Sequence, residues 1–270
     1  MDQIKSPNLL NHILETIFLY LDVPSLINCS LVCKNWYVLL VDENRYIWKL
    51  NCNRYISYEA LESDVLSSLR THKEKVRAFF HTWNPKDCSE NCSIEDDFTF
   101  VRNPVAQTTD ACRGKIGFTR GKHIWEINWT GPLGTVAVIG IATKDAPLTA
   151  KGYFGLLGSN EHSWGWNLID DNLVHNGYVY GKYPYWDKNK QEIKGLNQNI
   201  PAKYRTGETY RVILDCDDKT LSFERNNEWL GPAFSGLPAK CFYPSVSAVF
   251  GNSEVSLVYI GSQLDDDTIV

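Results

Sequence analysis

The sequence predicts an α+β multidomain chain: a small all-α module and a helical connector, followed by an antiparallel β-sandwich. Three observations carry that reading. The chain has 270 residues, against roughly 150 for an average domain, so about two domains are expected. Its apolar residues recur at helical spacing before Pro85 and alternate with polar residues after it. The second part consists of many short alternating runs separated by Gly, Asn, Asp and Pro, the pattern of an antiparallel sandwich.

The elements follow in order. Ser6-Pro7 is a plausible helix start, because proline tolerates the first turn. Leu10, Ile13, Leu14, Ile17, Phe18 and Leu21 then line one helical face. Asp22-Val23-Pro24 interrupts that helix and starts another bearing Leu26, Ile27, Leu31 and Val32, a pattern that Trp36, Leu39 and Leu40 continue. Ile47, Trp48 and Leu50 add an apolar cluster, and Ser57 to Phe80 is expected to be helical again, with Leu61, Val65, Leu66 and Leu69 at helical spacing. The boundary is placed in the polar stretch Asn84-Pro85-Lys86-Asp87. Beyond it, Trp125, Ile127 and Trp129 alternate, as do Tyr210, Val212 and Leu214, then Val255, Leu257 and Tyr259. Leu221 and Phe223 follow a polar turn at Asp217–Thr220. Thr135 to Ala142 reads as a strand buried on both faces. Asp265-Asp266-Asp267 reads as a solvated tail.

Composition narrows the function. The chain is 43% hydrophobic, 13% aromatic and 22% charged, enough apolar material for real cores. Twenty-seven Lys and Arg against 32 Asp and Glu give a net charge of −5, which argues against a nucleic-acid or anionic-membrane ligand. No run of apolar residues is long enough to insert in a membrane, and Met1 to Lys5 does not resemble a signal peptide. An intracellular, cytoplasmic protein is expected. The eight cysteines are too dispersed for a secreted disulfide scaffold. The Cys29/Cys33 and Cys88/Cys92 spacings lack the two-residue gap and the following His pair of zinc sites, so reduced structural thiols are expected. The sequence contains no phosphate loop, zinc-protease helix or nucleophile elbow. His123 and His175 read as structural, and Asp170-Asp171 and Asp217-Asp218 as solvated turns. Neither a catalytic site nor a cofactor is expected.

Two resemblances sharpen the reading. Leu9, Ile13-Leu14, Ile17-Phe18, Leu21, Leu31 to Tyr37 with its Val32-Cys33-x-x-Trp36 core, and Ile47-Trp48 resemble an F-box, although Leu10 and His12 stand where that family has proline and an acidic residue. Arg102 to Gln107, Gly114 to Phe118, His123 to Glu126, Trp164 to Leu168, Leu214-Asp215, Leu230-Gly231, Ala233-Phe234 and Tyr243 to Val249 resemble a SPRY domain. Their fusion is similar to the F-box/SPRY-domain protein family over nearly the whole chain. The resemblance implies an F-box at 1–52, a helical connector and linker at 53–92, a SPRY sandwich at 93–262 and an acidic tail at 263–270. Tyr178 to Arg205 departs from it as an apparent inserted loop.

The resemblance also implies a role: a non-catalytic substrate-recognition subunit of a ubiquitin ligase. It would dock a Skp-type adaptor through Leu9, Ile13, Leu14, Ile17, Phe18, Leu21, Val32 and Trp36. It would pair with a Highwire/PHR-type RING ligase in control of synaptic growth, notably at neuromuscular junctions. In SPRY proteins carrying a SOCS box, a short extended peptide sits in a loop pocket. The matching positions here are Arg102, Pro104, Ala106, Gly134, Thr135, Tyr153, Leu156, Val249, Phe250 and Gly251. Arg102 and the Tyr153 hydroxyl would orient polar peptide groups, and the glycines would admit a backbone closely. Phe250 stands where those relatives often have Trp. Trp125, Trp164 and Trp166 are expected in the core. The alternative function is a non-degradative interaction scaffold.

Overall fold

Helices form where the sequence supplies an apolar stripe, and side-chain caps fix where some of them begin. The computed structural model describes residues 7–104, 107–184 and 208–262, with side chains described from Leu10 onward. These residues fall into two compact units that divide between Phe79 and Phe80.

The first unit is helical. Helix α1 spans Pro7–Phe18, α2 Val23–Ser30, α3 Lys34–Val41 and α4 Tyr46–Tyr55. Asp22 caps α2, its carboxylate accepting from the Ser25 amide at 2.9 Å with Pro24 in the first turn. Phe18, Leu26, Leu39, Leu40, Ile47 and Trp48 make the core. Trp36 meets Phe18 edge-on at 5.4 Å. The guanidinium of Arg54 donates to Leu21 and Leu19 carbonyls at 3.0 and 3.1 Å, satisfying acceptors that the end of α1 leaves open.

Two expectations are corrected here. Leu31 and Val32 lie past the end of α2 rather than on it, and α3 begins anew after them. Ser57 to Phe80 is not one helix but α5 (Tyr58–Glu62), a 3₁₀ turn at Asp64–Leu66 and α6 (His72–His81). Serine and threonine side chains cause the breaks by bonding local amides. Ser57 Oγ accepts from Ala60 at 3.2 Å and Ser63 Oγ from Val65 at 3.3 Å. Thr71 and Glu74 form a capping box before α6: Thr71 Oγ1 accepts from the Glu74 amide at 3.1 Å, and Glu74 Oε2 accepts from the Thr71 amide at 2.8 Å.

The second unit is a β-sandwich. Its first strands are β1 (Trp83–Cys88), β2 (Cys92–Glu95), β3 (Thr99–Arg102), β4 (Thr108–Gly114) and β5 (Lys122–Trp129). Next come β6 (Ala137–Ala142), β7 (Thr149–Lys151), β8 (Ser163–Asn167), β9 (Asn172–His175) and β10 (Tyr178–Lys182). The last are β11 (Glu208–Asp215), β12 (Thr220–Arg225), β13 (Glu228–Ser235), β14 (Tyr243–Ala248) and β15 (Glu254–Ser262). Among the described residues, one sheet has eight strands, ordered β1-β4-β14-β6-β8-β9-β10 with β7 beside β4. The other has seven, ordered β13-β12-β11-β5-β15-β3-β2. The ladders are antiparallel. Asn84-Pro85-Lys86-Asp87, read from sequence as linker, lies within β1. Proline fits there because β1 is an edge strand with no second ladder to supply.

Alternating residues fill the space between the sheets. Trp125, Ile127, Trp129, Trp166, Val212, Leu214, Phe223 and Leu257 are buried there with Trp164. β6 is buried on both faces, as its unbroken apolar run predicts. Ile139 and Ile141 join the central core, while Val138 and Ala142 join an outer cluster with Val136, Ala146, Leu157 and Val249. Tyr183 is also buried; its hydroxyl donates to the Gly231 carbonyl at 2.6 Å and accepts from the Phe223 amide at 3.2 Å. Its ring and that of Tyr210 meet Trp166 edge-on, at 5.3 and 5.6 Å. All eight cysteines are free.

Candidate interaction surfaces

In the helical unit, α1 carries two apolar stripes rather than one. Leu14, Phe18 and Leu21 face the core, whereas Leu10, Ile13, Ile17 and Tyr20 are exposed. Positions 10, 13 and 17 are three and four apart, so they share one face. Val32 is 62% exposed and Leu31 similarly open. Of the residues expected to meet an adaptor, Ile13, Ile17 and Val32 therefore offer free surface. Leu14, Leu21 and Trp36 are half-buried supports. Phe18 is corrected: at 1% exposure it belongs to the core. Leu9 lies on α1, but its side chain is outside the described residues. Leu10 and Leu31 were missed, and the three-and-four spacing from Leu10 to Ile17 was the available signal.

In the sandwich, register brings four segments to one end. Ala248 of β14 pairs with Asp110 of β4 on one side and with Ala137 of β6 on the other, and Thr108 pairs with Lys151 of β7. The segments before β4, before β6, after β7 and after β14 therefore emerge together. Pro104, Thr135, Tyr153 and Phe250 are exposed there, Tyr153 at 55% and Phe250 at 43%. Gly251 is half-buried. The Tyr153 hydroxyl accepts from the Gln107 amide at 2.8 Å, joining two of the four segments. Neither Gln107 nor the exposed Phe154 beside it was foreseen; nothing in their spacing marks them, since loop contacts have no period.

Four of the expected pocket residues play other parts. Leu156 and Val249 are buried, Val249 in the outer cluster against Val138 and Leu157. They form a floor beneath the loops. The two glycines admit neighbours of this chain. A methyl group on Gly134, whose φ is +71°, would come within 2.7 Å of Phe250 Cβ, and one on Gly251 within 2.7 Å of Pro104 Cα. Ala106 lies outside the described residues.

Arg102 is the main correction. It is 1% exposed and pairs with fully buried Asp110, Nε to Oδ2 at 3.0 Å. It also donates to the Asn103 carbonyl at 3.2 Å, the Thr108 carbonyl at 2.9 Å and Thr108 Oγ1 at 3.0 Å. Asp110 further accepts from Ser89, Asn91, Thr108 and Thr149 at 2.8, 3.0, 2.8 and 2.8 Å. Burial pushes the Asp110 carboxyl up, but the hydrogen bonds from Asn91, Ser89, Thr108 and Thr149 outweigh it and hold the group below its ordinary range. Arg102 thus shapes the loop from beneath and does not reach a ligand.

Comparison with known proteins fits both units. An F-box-like family model matches residues 11–54 and a SPRY domain model residues 122–260. The SPRY domain of human HERC1 superposes with a TM-score of 0.50 at 16% identity, covering 67% of this chain and 99% of that one. The chain is therefore a two-module protein of the adaptor type, its modules fitting a ubiquitin-ligase substrate receptor in general terms. F-box/SPRY domain-containing protein 1 of Culex quinquefasciatus is 54% identical over 261 residues, 96% of each chain. Its namesake in Drosophila mojavensis is 56% identical over 255 residues, 94% of this chain and 96% of that one. The chain belongs to the family of F-box/SPRY domain-containing proteins. Among the described residues, no helix is long and apolar enough to cross a membrane.

Proposed function

We propose that this protein is the non-catalytic substrate receptor of a ubiquitin ligase. The helical unit docks a Skp-type adaptor through Ile13, Ile17 and Val32, with Leu10 and Leu31 extending the same apolar surface. Leu14, Leu21 and Trp36 support it from behind. The sandwich captures a short extended peptide of the target through Pro104, Thr135, Tyr153 and Phe250. The receptor raises the target's effective concentration at a RING ligase of the Highwire/PHR type, and its setting is the cytoplasm of the synapse. The observation that carries this reading is the exposed stripe of α1: a small unit with its own core still presents Leu10, Ile13 and Ile17 to solvent, and such patches mark partner surfaces.

The test is calorimetric titration of a purified Skp-type adaptor into the full chain and into an Ile13→Asp/Ile17→Asp variant. Losing two anchors costs at least about 2 kcal/mol, so affinity falls by roughly 30-fold or more. Circular dichroism should stay unchanged, because neither side chain is in the core. Full-strength binding by the folded variant refutes the docking face. Adaptor binding without ubiquitin transfer to any captured peptide, in a reaction reconstituted with the RING ligase, favours the scaffold reading.

A further inference from the structure

Three cysteines meet at the seam where the chain passes from one sheet to the other. β1 ends at Cys88 in the first sheet and β2 begins at Cys92 in the second. The turn between them is tied to Asp110 through Ser89 Oγ at 2.8 Å and Asn91 Nδ2 at 3.0 Å. Cys88 lies directly opposite Cys112 of β4. The Ser89 amide donates to the Ala111 carbonyl at 2.9 Å, which makes the adjoining Cys88–Cys112 pair one of the non-hydrogen-bonded kind. Side chains approach most closely in such pairs, with Cα atoms about 4.5 Å apart. A disulfide requires roughly 4.4–6.8 Å between Cα atoms. Cys88 and Cys92 both pack against the buried cluster that holds Cys112. No group of residues among those described forms a metal-binding set, so thiol chemistry is what the cluster offers.

We propose that Cys88 and Cys112 form a peroxide-responsive disulfide that staples edge strand β1 to β4. Hydrogen peroxide is the oxidant. The Cys88 thiolate attacks one peroxide oxygen; an S–O bond forms, the O–O bond breaks, and hydroxide leaves. The Cys112 sulfur then attacks the Cys88 sulfenic acid. An S–S bond forms as the S–O bond breaks, and the Cys112 proton departs with the hydroxyl as water. Two thiols lose two electrons in total, and the peroxide becomes two molecules of water.

The order of the two attacks follows from the surroundings. The neighbouring Cys112 and Cys92 thiols lower the pKa of the Cys88 thiol against the opposing effect of burial, so Cys88 is the first of the pair to ionise. Burial holds Cys112 protonated, and its hydrogen bond to Cys88 does the same. Cys88 is also the more accessible of the two, half-buried where Cys112 is fully buried.

The experiment treats the full-length reduced protein with hydrogen peroxide and reads intact mass and non-reducing peptide maps. The expected product is lighter by two hydrogens, carries a peptide linked from Cys88 to Cys112, and returns to the starting mass with dithiothreitol. The link is absent from Cys88→Ser and unaffected in Cys33→Ser, which removes an exposed thiol. If Cys88→Ser fails to fold, the peptide map of the unaltered protein decides by itself. Oxidation confined to Cys33, irreversible over-oxidation of Cys88, or a link from Cys88 to Cys92 would each overturn the proposal.

Discussion

Replacing Arg102 with alanine separates a pocket role from a structural one. The substitution removes the cation of a pair whose side chains are 1% and 0% exposed, along with its bonds to Asn103 and Thr108. Asp110 keeps four neutral donors, yet its charge is left without a counterion in the interior. Breaking a buried pair by removing one partner costs about 3–5 kcal/mol. With a urea slope of about 2 kcal/mol per molar, the midpoint of sandwich unfolding should fall by about 2 M. Arg102→Lys should recover part of this, since it restores the charge but not the planar fork of donors. The assay is urea unfolding of the full chain followed by the fluorescence of its buried tryptophans. Tyr153→Phe, at an exposed site, should change stability by no more than about 0.5 kcal/mol, which leaves the midpoint within about 0.25 M of the original. An Arg102→Ala protein with an unchanged midpoint would refute the reasoning and return Arg102 to the ligand surface.

Two further outcomes follow from local chemistry. Glu74→Ala should lower the stability of the helical unit by about 0.5–2 kcal/mol, read by thermal melting in circular dichroism, because Glu74 accepts from the Arg70 and Thr71 amides at 2.8 Å each; Glu74→Gln should restore most of it. His123 introduces a pH dependence. Its Nε2 faces the Arg120 carbonyl and its Nδ1 the Tyr259 hydroxyl, each at 2.9 Å. Burial lowers its pKa below the ordinary 6.5, only partly offset by the Arg120 carbonyl and by Asp217 and Asp215. The unfolded chain therefore takes up the proton first, so this stability is complete above 6.5 and is lost as the pH falls toward the lower folded value. Melting temperature should drop more steeply between about pH 7 and pH 5 in the original than in His123→Gln; parallel profiles would disprove it.

The legible part of the fold was whatever has a period. The switch from helical to alternating spacing located both kinds of unit, and the unbroken run at Ala137–Ala142 announced a strand covered on both sides. Serine and threonine caps were harder to read, because each competes locally with the helix. Ser57 to Phe80 thus reads as helical without showing its breaks, and it folds as three pieces. Proline misled at Pro85, where an edge strand tolerates it. The interaction surfaces were legible as segments but not residue by residue. Periodicity shows that α1 has a wide apolar arc; it does not say that Phe18 turns inward and Ile17 outward. Nor does it show that Arg102 finds Asp110, since that partnership depends on β3 and β4 belonging to opposite sheets.

The edge-on packing of Tyr183 and Tyr210 against a single buried indole has a consequence for how this chain tolerates change. Both rings are held by Trp166 of β8, at 5.3 and 5.6 Å, and Tyr210 lies on β11 of the opposite sheet, so one indole ties the two layers together. Residues that share one partner do not act independently. A change at any one of the three rings therefore alters the effect of a change at the other two, and variants here have to be compared in pairs.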